Sequence, residues 1–205
     1  VINETWSRQL ESIKNKEIDF IGSVNYTPER EEYLSFTAPY LEIPNFFISN
    51  TSFYKKTNND LSTATFAVVS NYAYIDELKK AYPKATFISF NKDISALINT
   101  SFGISDVCIL DMPSVTYLIN KYGISNISVL GDANFPWKIR MAVPKSEPQL
   151  QAILSRFLAS IPSESKEYLH DKYLSKLTLE ENTTIRNILY FILFTLLTTF
   201  IILSL

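Results

Sequence analysis

Ile18-Asp19-Phe20-Ile21-Gly22-Ser23-Val24-Asn25-Tyr26-Thr27-Pro28-Glu29-Arg30 packs a strand, a tight turn and the start of a helix into thirteen residues. The apolar stretch Ile18–Val24 has the length and composition of a short buried strand. Thr27 is an apt helix N-cap, and Pro28 suits the first helical position because its missing N–H would be unsatisfied there anyway. Arg30 is out of keeping. The first turn of a helix is positive and favours Asp or Glu, so an Arg there adds like charge. An anion would resolve the conflict: Ser23, Asn25, the Thr27 hydroxyl, free backbone N–H groups and Arg30 could converge on one carboxylate. Equally open is a solvated face on which Arg30 pairs with Glu29, Glu31 or Glu32.

Upstream, Trp6, Leu10 and Ile13 fall at helical spacing over Ser7–Lys16. Downstream, Leu41–Asn50 is an apolar, aromatic strand candidate. Strand candidates at Thr65–Ser70, Thr86–Phe90, Val107–Asp111 and Ile127–Gly131 then alternate with helix candidates at Ala73–Tyr82, Lys92–Thr100 and Met112–Tyr122. Such alternation predicts α/β lobes with parallel sheets covered on both faces. Ile139–Pro144 is one more strand, Leu150–Ile161 carries the clearest amphipathic helix, and Ser163–Leu174 holds a further helix candidate.

Asp111 falls at the carboxyl end of a strand, where open α/β sheets present ligand-contacting residues. It could receive an ammonium group or cap the helix that follows. Trp6 could wall a pocket or simply pack in the core.

Composition removes several classes. The 205 residues are 46% apolar and 14% aromatic, enough for a core, and a net charge of −2 gives no basic surface for nucleic acid. One cysteine, Cys108, and one histidine, His170, cannot build a His/Cys metal cluster or a Cys/His catalytic pair of the papain kind with much support. With four glycines there is no phosphate-binding glycine loop, and no GxSxG or HExxH motif occurs. No cofactor and no catalytic residue is expected.

Residues 188–205 form an 18-residue run without a charge, fourteen of them apolar. At 1.5 Å per residue it would cover about 27 Å, close to the hydrocarbon thickness of a bilayer. The run is expected to be a membrane helix cut by the end of the sequence, and Val1 starts inside structured-looking sequence with no leader.

Together, Glu17-Ile18-Asp19-Phe20-Ile21-Gly22, Tyr26-Thr27-Pro28-Glu29-Arg30, Leu34-Ser35-Phe36-Thr37 and Pro39-Tyr40 resemble the D-x-I-x-G…T-x-E-R…FS-x-PY signature of family 3 periplasmic solute-binding proteins, the type II Venus flytraps. Phe66–Ser70, Tyr82-Pro83, Ser105-Asp106-Val107, Thr116-Tyr117-Leu118-Ile119 and the late Leu150…Ile161-Pro162 resemble the second half of that pattern. With a membrane run behind it, the chain looks most like the extracytoplasmic sensory domains of BvgS-type sensor kinases.

The resemblance implies a bilobed fold, with residues 1–45 and 138–175 in an incomplete lobe 1 and 46–137 in lobe 2. A linker would follow at 176–186 and the membrane helix at 187–205. It implies a sensor domain of a transmembrane signalling protein, non-enzymatic itself, that binds an amino-acid-like or carboxylate solute between its lobes. Residues 1–186 would be periplasmic, anchored in the bacterial inner membrane, and a homodimer is compatible. A membrane-anchored transport binding protein and a flytrap-fold dehydratase are the alternatives. By resemblance, Arg30 and Asn25 hold the ligand carboxylate, Asp111 its ammonium, and Trp6 packs on it; Ser23, Thr27, Asn71 and Tyr72 complete the expected site. One departure stands out: the second lobe's usual Gly-Thr/Ser turn is replaced by Asn71-Tyr72-Ala73, which puts the second-lobe carboxylate contacts in question.

Overall fold

The computed structural model describes residues 4–53, 60–172 and Phe191. The expected membrane run therefore lies, apart from Phe191, outside the described residues, as does the linker; among the described residues no helix is long and apolar enough to cross a membrane.

Two sheets organise the chain. Around the first lie α1 (Trp6–Lys14), β1 (Ile21–Val24), α2 (Pro28–Glu31), β2 (Leu34–Phe36) and β3 (Leu41–Ile43), joined late in the sequence by β9 (Trp137–Pro144), α6 (Pro148–Ser160) and α7 (Ser163–His170). The second holds β4 (Asn45–Asn50), β5 (Thr65–Val69), α3 (Ile75–Ala81), β6 (Thr86–Phe90), α4 (Asp93–Ser101), β7 (Val107–Asp111), α5 (Met112–Tyr122) and β8 (Ile127–Asp132).

The second sheet has the order β6-β5-β7-β4-β8. β5 runs parallel to β6 and β7, as helical crossovers require, whereas β4 is antiparallel to both β7 and β8. The first sheet departs from the expectation of parallel lobes altogether. β9 is its centre and pairs antiparallel with β1, β2 and β3. The reason is that β9 brings the chain back from the other lobe and runs against the strands that left.

One strand was expected over Leu41–Asn50; the structure breaks it in two at Pro44, whose nitrogen has no hydrogen to donate to a ladder. That break is where the chain passes between lobes. Ala133 N donates to Asn45 O (2.8 Å) and the fully buried Asn45 side chain donates to Phe135 O (2.7 Å), tying the outgoing and returning segments together.

Each sheet has its own core. One face of the second sheet buries Phe47, Phe66, Val68, Leu78 and Ile109; its other face buries Ile48, Ala67, Leu97, Cys108, Leu110 and Val115 against α4 and α5. Phe66 is fully buried, with its ring stacked on Phe87 (5.6 Å) and tilted against Tyr82 (5.2 Å). The first lobe closes on Ile13, Ile21, Val24, Leu34 and Ala142, and Gln151 ties α6 to this sheet through Phe36 O (3.0 Å).

Candidate functional site

Between the two sheets lies a cavity of about 280 Å³. Six of the eight residues expected at the site line it: Trp6, Ser23, Asn25, Arg30, Tyr72 and Asp111. Thr27 and Asn71 instead line an adjoining groove.

The first lobe presents Trp6 from the start of α1, Ser23 from β1, Asn25 from the turn after it and Arg30 from α2. Thr27 adopts the extended N-cap conformation and its hydroxyl accepts from Arg30 N (3.2 Å), so this side chain serves the helix rather than the cavity. Pro28 takes the first helical position as its fixed φ predicts. Arg30, on the opposite side of that turn, is only 5% exposed, which excludes the solvated-face alternative. Among the described residues no carboxylate lies within ion-pairing distance of it. Its guanidinium donates instead to two backbone carbonyls: Nη1 to Asn25 O (2.6 Å) and Nη2 to Asn71 O of the other lobe. It also lies over the Trp6 ring, 5.2 Å from the centroid. Burial pulls its pKa below the usual arginine value, with Tyr33 and Glu29 acting in the opposite sense.

Asn71 is the hub of this contact. Its φ of +63° places it in the left-handed region, which Asn tolerates better than most residues. In that conformation its carbonyl accepts from both Arg30 and Trp6 Nε1 (3.0 Å), while its side-chain amide donates to Ser7 Oγ (2.9 Å). The turn that replaced the expected Gly-Thr/Ser motif thus closes on the first lobe directly. The guanidinium expected to hold a carboxylate holds this carbonyl.

The second lobe supplies its residues at the carboxyl ends of its three parallel strands: Tyr72 after β5, Asp93 after β6 and Asp111 at the end of β7. This is where open α/β sheets place ligand contacts. Asp111 caps the helix that follows it and also borders the cavity. Its Oδ1 caps α5 by accepting from Ser114 N (2.8 Å), its Oδ2 accepts from Ser114 Oγ (2.9 Å), and the residue lines the cavity. Both oxygens of Asp93 accept from the Tyr72 hydroxyl (2.9 and 3.0 Å). Burial raises the Asp93 pKa above the ordinary carboxylate value and outweighs the Tyr72 hydrogen bond; the Asp111 charge adds to the rise. Tyr72 is pushed far above the usual phenol value, by burial first and by Asp93 second, so it stays a donor.

Sequence reading missed Asp93, Ser114 and Trp137. Asp93 had a readable signal, since it opens the helix directly after a parallel strand. Trp137 has none locally: it starts β9, and only the fold brings its ring edge-on to Tyr72 (5.1 Å).

Residues 1–176 match the family of bacterial extracellular solute-binding proteins, family 3. The chain belongs to this family, and its fold is the family's bilobed α/β architecture. Over 163 residues it is 24% identical to the virulence sensor protein BvgS of Bordetella pertussis, covering 78% of this chain and 13% of that protein. The chain therefore spans about an eighth of the curated relatives it matches. Among solved structures, the B. pertussis BvgS periplasmic VFT2 domain superposes with a TM-score of 0.70 at 21% identity, covering 82% of this chain and 73% of that one. A histidine kinase sensor domain with similarity to periplasmic binding proteins gives 0.72 at 18% identity (83% and 75% covered). Holo ArgBP from T. maritima gives 0.67 at 22% (84% and 76% covered).

Proposed function

We propose that the chain is the extracytoplasmic solute-binding sensor domain of a transmembrane signalling protein, and that a small solute bearing an amino group binds between its lobes. The observation that carries this reading is the cavity between the two sheets, lined from one side by Trp6, Ser23, Asn25 and Arg30 and from the other by Tyr72 and Asp111. Family membership and the likeness to BvgS support the sensor role, and Ile188–Leu205 is read as the membrane helix that carries the signal onward.

The mechanism follows from the two-lobed geometry. A solute that contacts both lobes binds the closed form better than the open one and shifts the balance only by that difference. The crossing segments around Pro44 and Phe135 act as the hinge. Asp111 and Asp93 receive an amino group from the second lobe, while Trp6 and Trp137 flank the solute. A carboxylate reaches Arg30 only by displacing Asn71 O.

A thermal-shift screen of amino acids and small amines against the full chain in detergent tests the reading. A solute present at a hundred times its Kd should stabilise the protein by about 2.7 kcal/mol. At the same concentration that shift should fall to about 1.4 kcal/mol or less in Asp111→Asn. A screen in which no solute moves the melting midpoint contradicts the proposal, and alkaline phosphatase fused after residue 186 should be active only if that end is periplasmic.

A further inference from the structure

We infer that the cleft is selective for a small organic cation, an amine that carries no carboxylate. The inference rests on the solute-binding reading above and names the chemistry of its ligand.

Three observations lead to it. The anion seat of the first lobe is filled, since both guanidinium nitrogens of Arg30 that point at acceptors hold backbone carbonyls, one of them from the facing lobe. Asn71 is held in place from two further directions, by Trp6 Nε1 and by Ser7, so a ligand carboxylate would have to displace a carbonyl that three separate hydrogen bonds position. A carboxylate would hold the guanidinium more strongly than a neutral carbonyl does, but that gain is offset by the loss of the bonds that position Asn71 and of the contact between the lobes.

The second lobe offers the opposite chemistry. Asp93 and Asp111 both line the cavity, and within it no cationic side chain faces them other than the already engaged Arg30. Each carboxylate has hydroxyl or backbone N–H donors but no ion-pair partner among the described residues. Two like charges brought together in a half-buried site disfavour each other, and a cation between them relieves that.

The walls suit the same ligand. The Tyr72 and Trp137 rings meet edge to face at 5.1 Å, and Trp6 also lines the cavity. Aromatic faces and carboxylates together are the surroundings in which ammonium and guanidinium groups are held, by cation–π attraction and charge-assisted hydrogen bonds. A cavity of about 280 Å³ has room for a small amine of this kind.

Matched pairs decide it. Agmatine with arginine, cadaverine with lysine, and tyramine with tyrosine differ by the carboxylate alone. Calorimetric titration of each into the full chain in detergent should find at least one amine that binds tenfold or more tighter than its parent amino acid. Asp93→Asn should weaken that amine at least tenfold, and Asp93→Glu should recover most of the loss. Parent amino acids that bind as tightly as their amines, or tighter, overturn the inference while leaving solute binding intact. If no member of any pair binds, the inference is likewise overturned, and the wider solute screen then decides the function separately. Should Asp93→Asn fail to fold, the wild-type ratio of amine to amino-acid affinity within each pair still separates the two outcomes.

Discussion

Arg30 Nη2 donates to the main-chain oxygen of Asn71 across the interlobe cleft, forty-one positions along the chain, and so ties one lobe to the other. The contact works because Asn71 sits at φ +63°, which turns its carbonyl toward Arg30 and Trp6. That makes the backbone conformation of one residue the determinant of the clasp.

Substitution at Asn71 should separate backbone from side chain. Asn71→Gly keeps the left-handed turn and its carbonyl, and removes only the Ser7 hydrogen bond, a loss of about 0.5–1.5 kcal/mol. Asn71→Val puts a β-branched residue at positive φ, costing about 1–3 kcal/mol in strain and withdrawing the carbonyl. Denaturant unfolding should rank the Val variant below the Gly variant; the reverse order would mean that the side chain, not the carbonyl, holds the clasp.

Asp93 should impose a pH dependence whose sign is fixed by its raised pKa. The folded state binds a proton here more tightly than the unfolded state, so the contribution of Asp93 to stability falls as pH rises from the ordinary carboxylate value through the folded one. The groups that face it are Tyr72 and Asp111, with Tyr74 and Cys108 also within electrostatic reach. The stability of Asp93→Asn relative to wild type should accordingly rise across that window, measured by unfolding at successive pH values. A flat difference would show that the carboxylate is not desolvated.

Cys108 should be inert in the folded protein. It is fully buried under α4 and α5, and burial pushes its thiol up to about 12. Iodoacetamide at pH 8 should leave the native chain unmodified and label it once in denaturant, as mass spectrometry would register. Rapid labelling of the native chain would place the thiol at the surface.

Phe66 anchors the ring cluster with Phe47, Tyr82 and Phe87. Phe66→Ala should cost about 3–5 kcal/mol through lost burial and the cavity left behind. A loss under about 1 kcal/mol would mean that the neighbouring rings collapse into the space.

Local chemistry made much of the fold legible. α5 begins and ends where its apolar spacing places it, because Asp111 caps one end and Gly123, at φ +67°, terminates the other. Thr27-Pro28 set the start of α2 for similar reasons. Strand direction was less accessible: nothing in the composition of Trp137–Pro144 says that it runs antiparallel to three partners, since that follows from the chain's return between lobes.

The site divided the same way. Arg30 and Asp111 stood out because each sits oddly or tellingly on its own element. Asp93 follows a parallel strand, but the ordinary preference for acid residues in a first helical turn accounts for it equally well, and Trp137 became a wall only through long-range packing. The occupant of Arg30 was invisible in the sequence, since it is a carbonyl whose direction depends on one backbone dihedral.

That a solute is held between the two lobes is tested most directly with one residue from each side of the cleft. The tightest-binding amine among agmatine, cadaverine and tyramine is titrated calorimetrically into wild type, Trp6→Ala and Asp111→Asn. One binding site per chain is expected, with at least tenfold weaker affinity in both variants. Affinity unchanged in either variant, with its fold intact, would contradict binding between the lobes by placing the solute on one lobe or elsewhere.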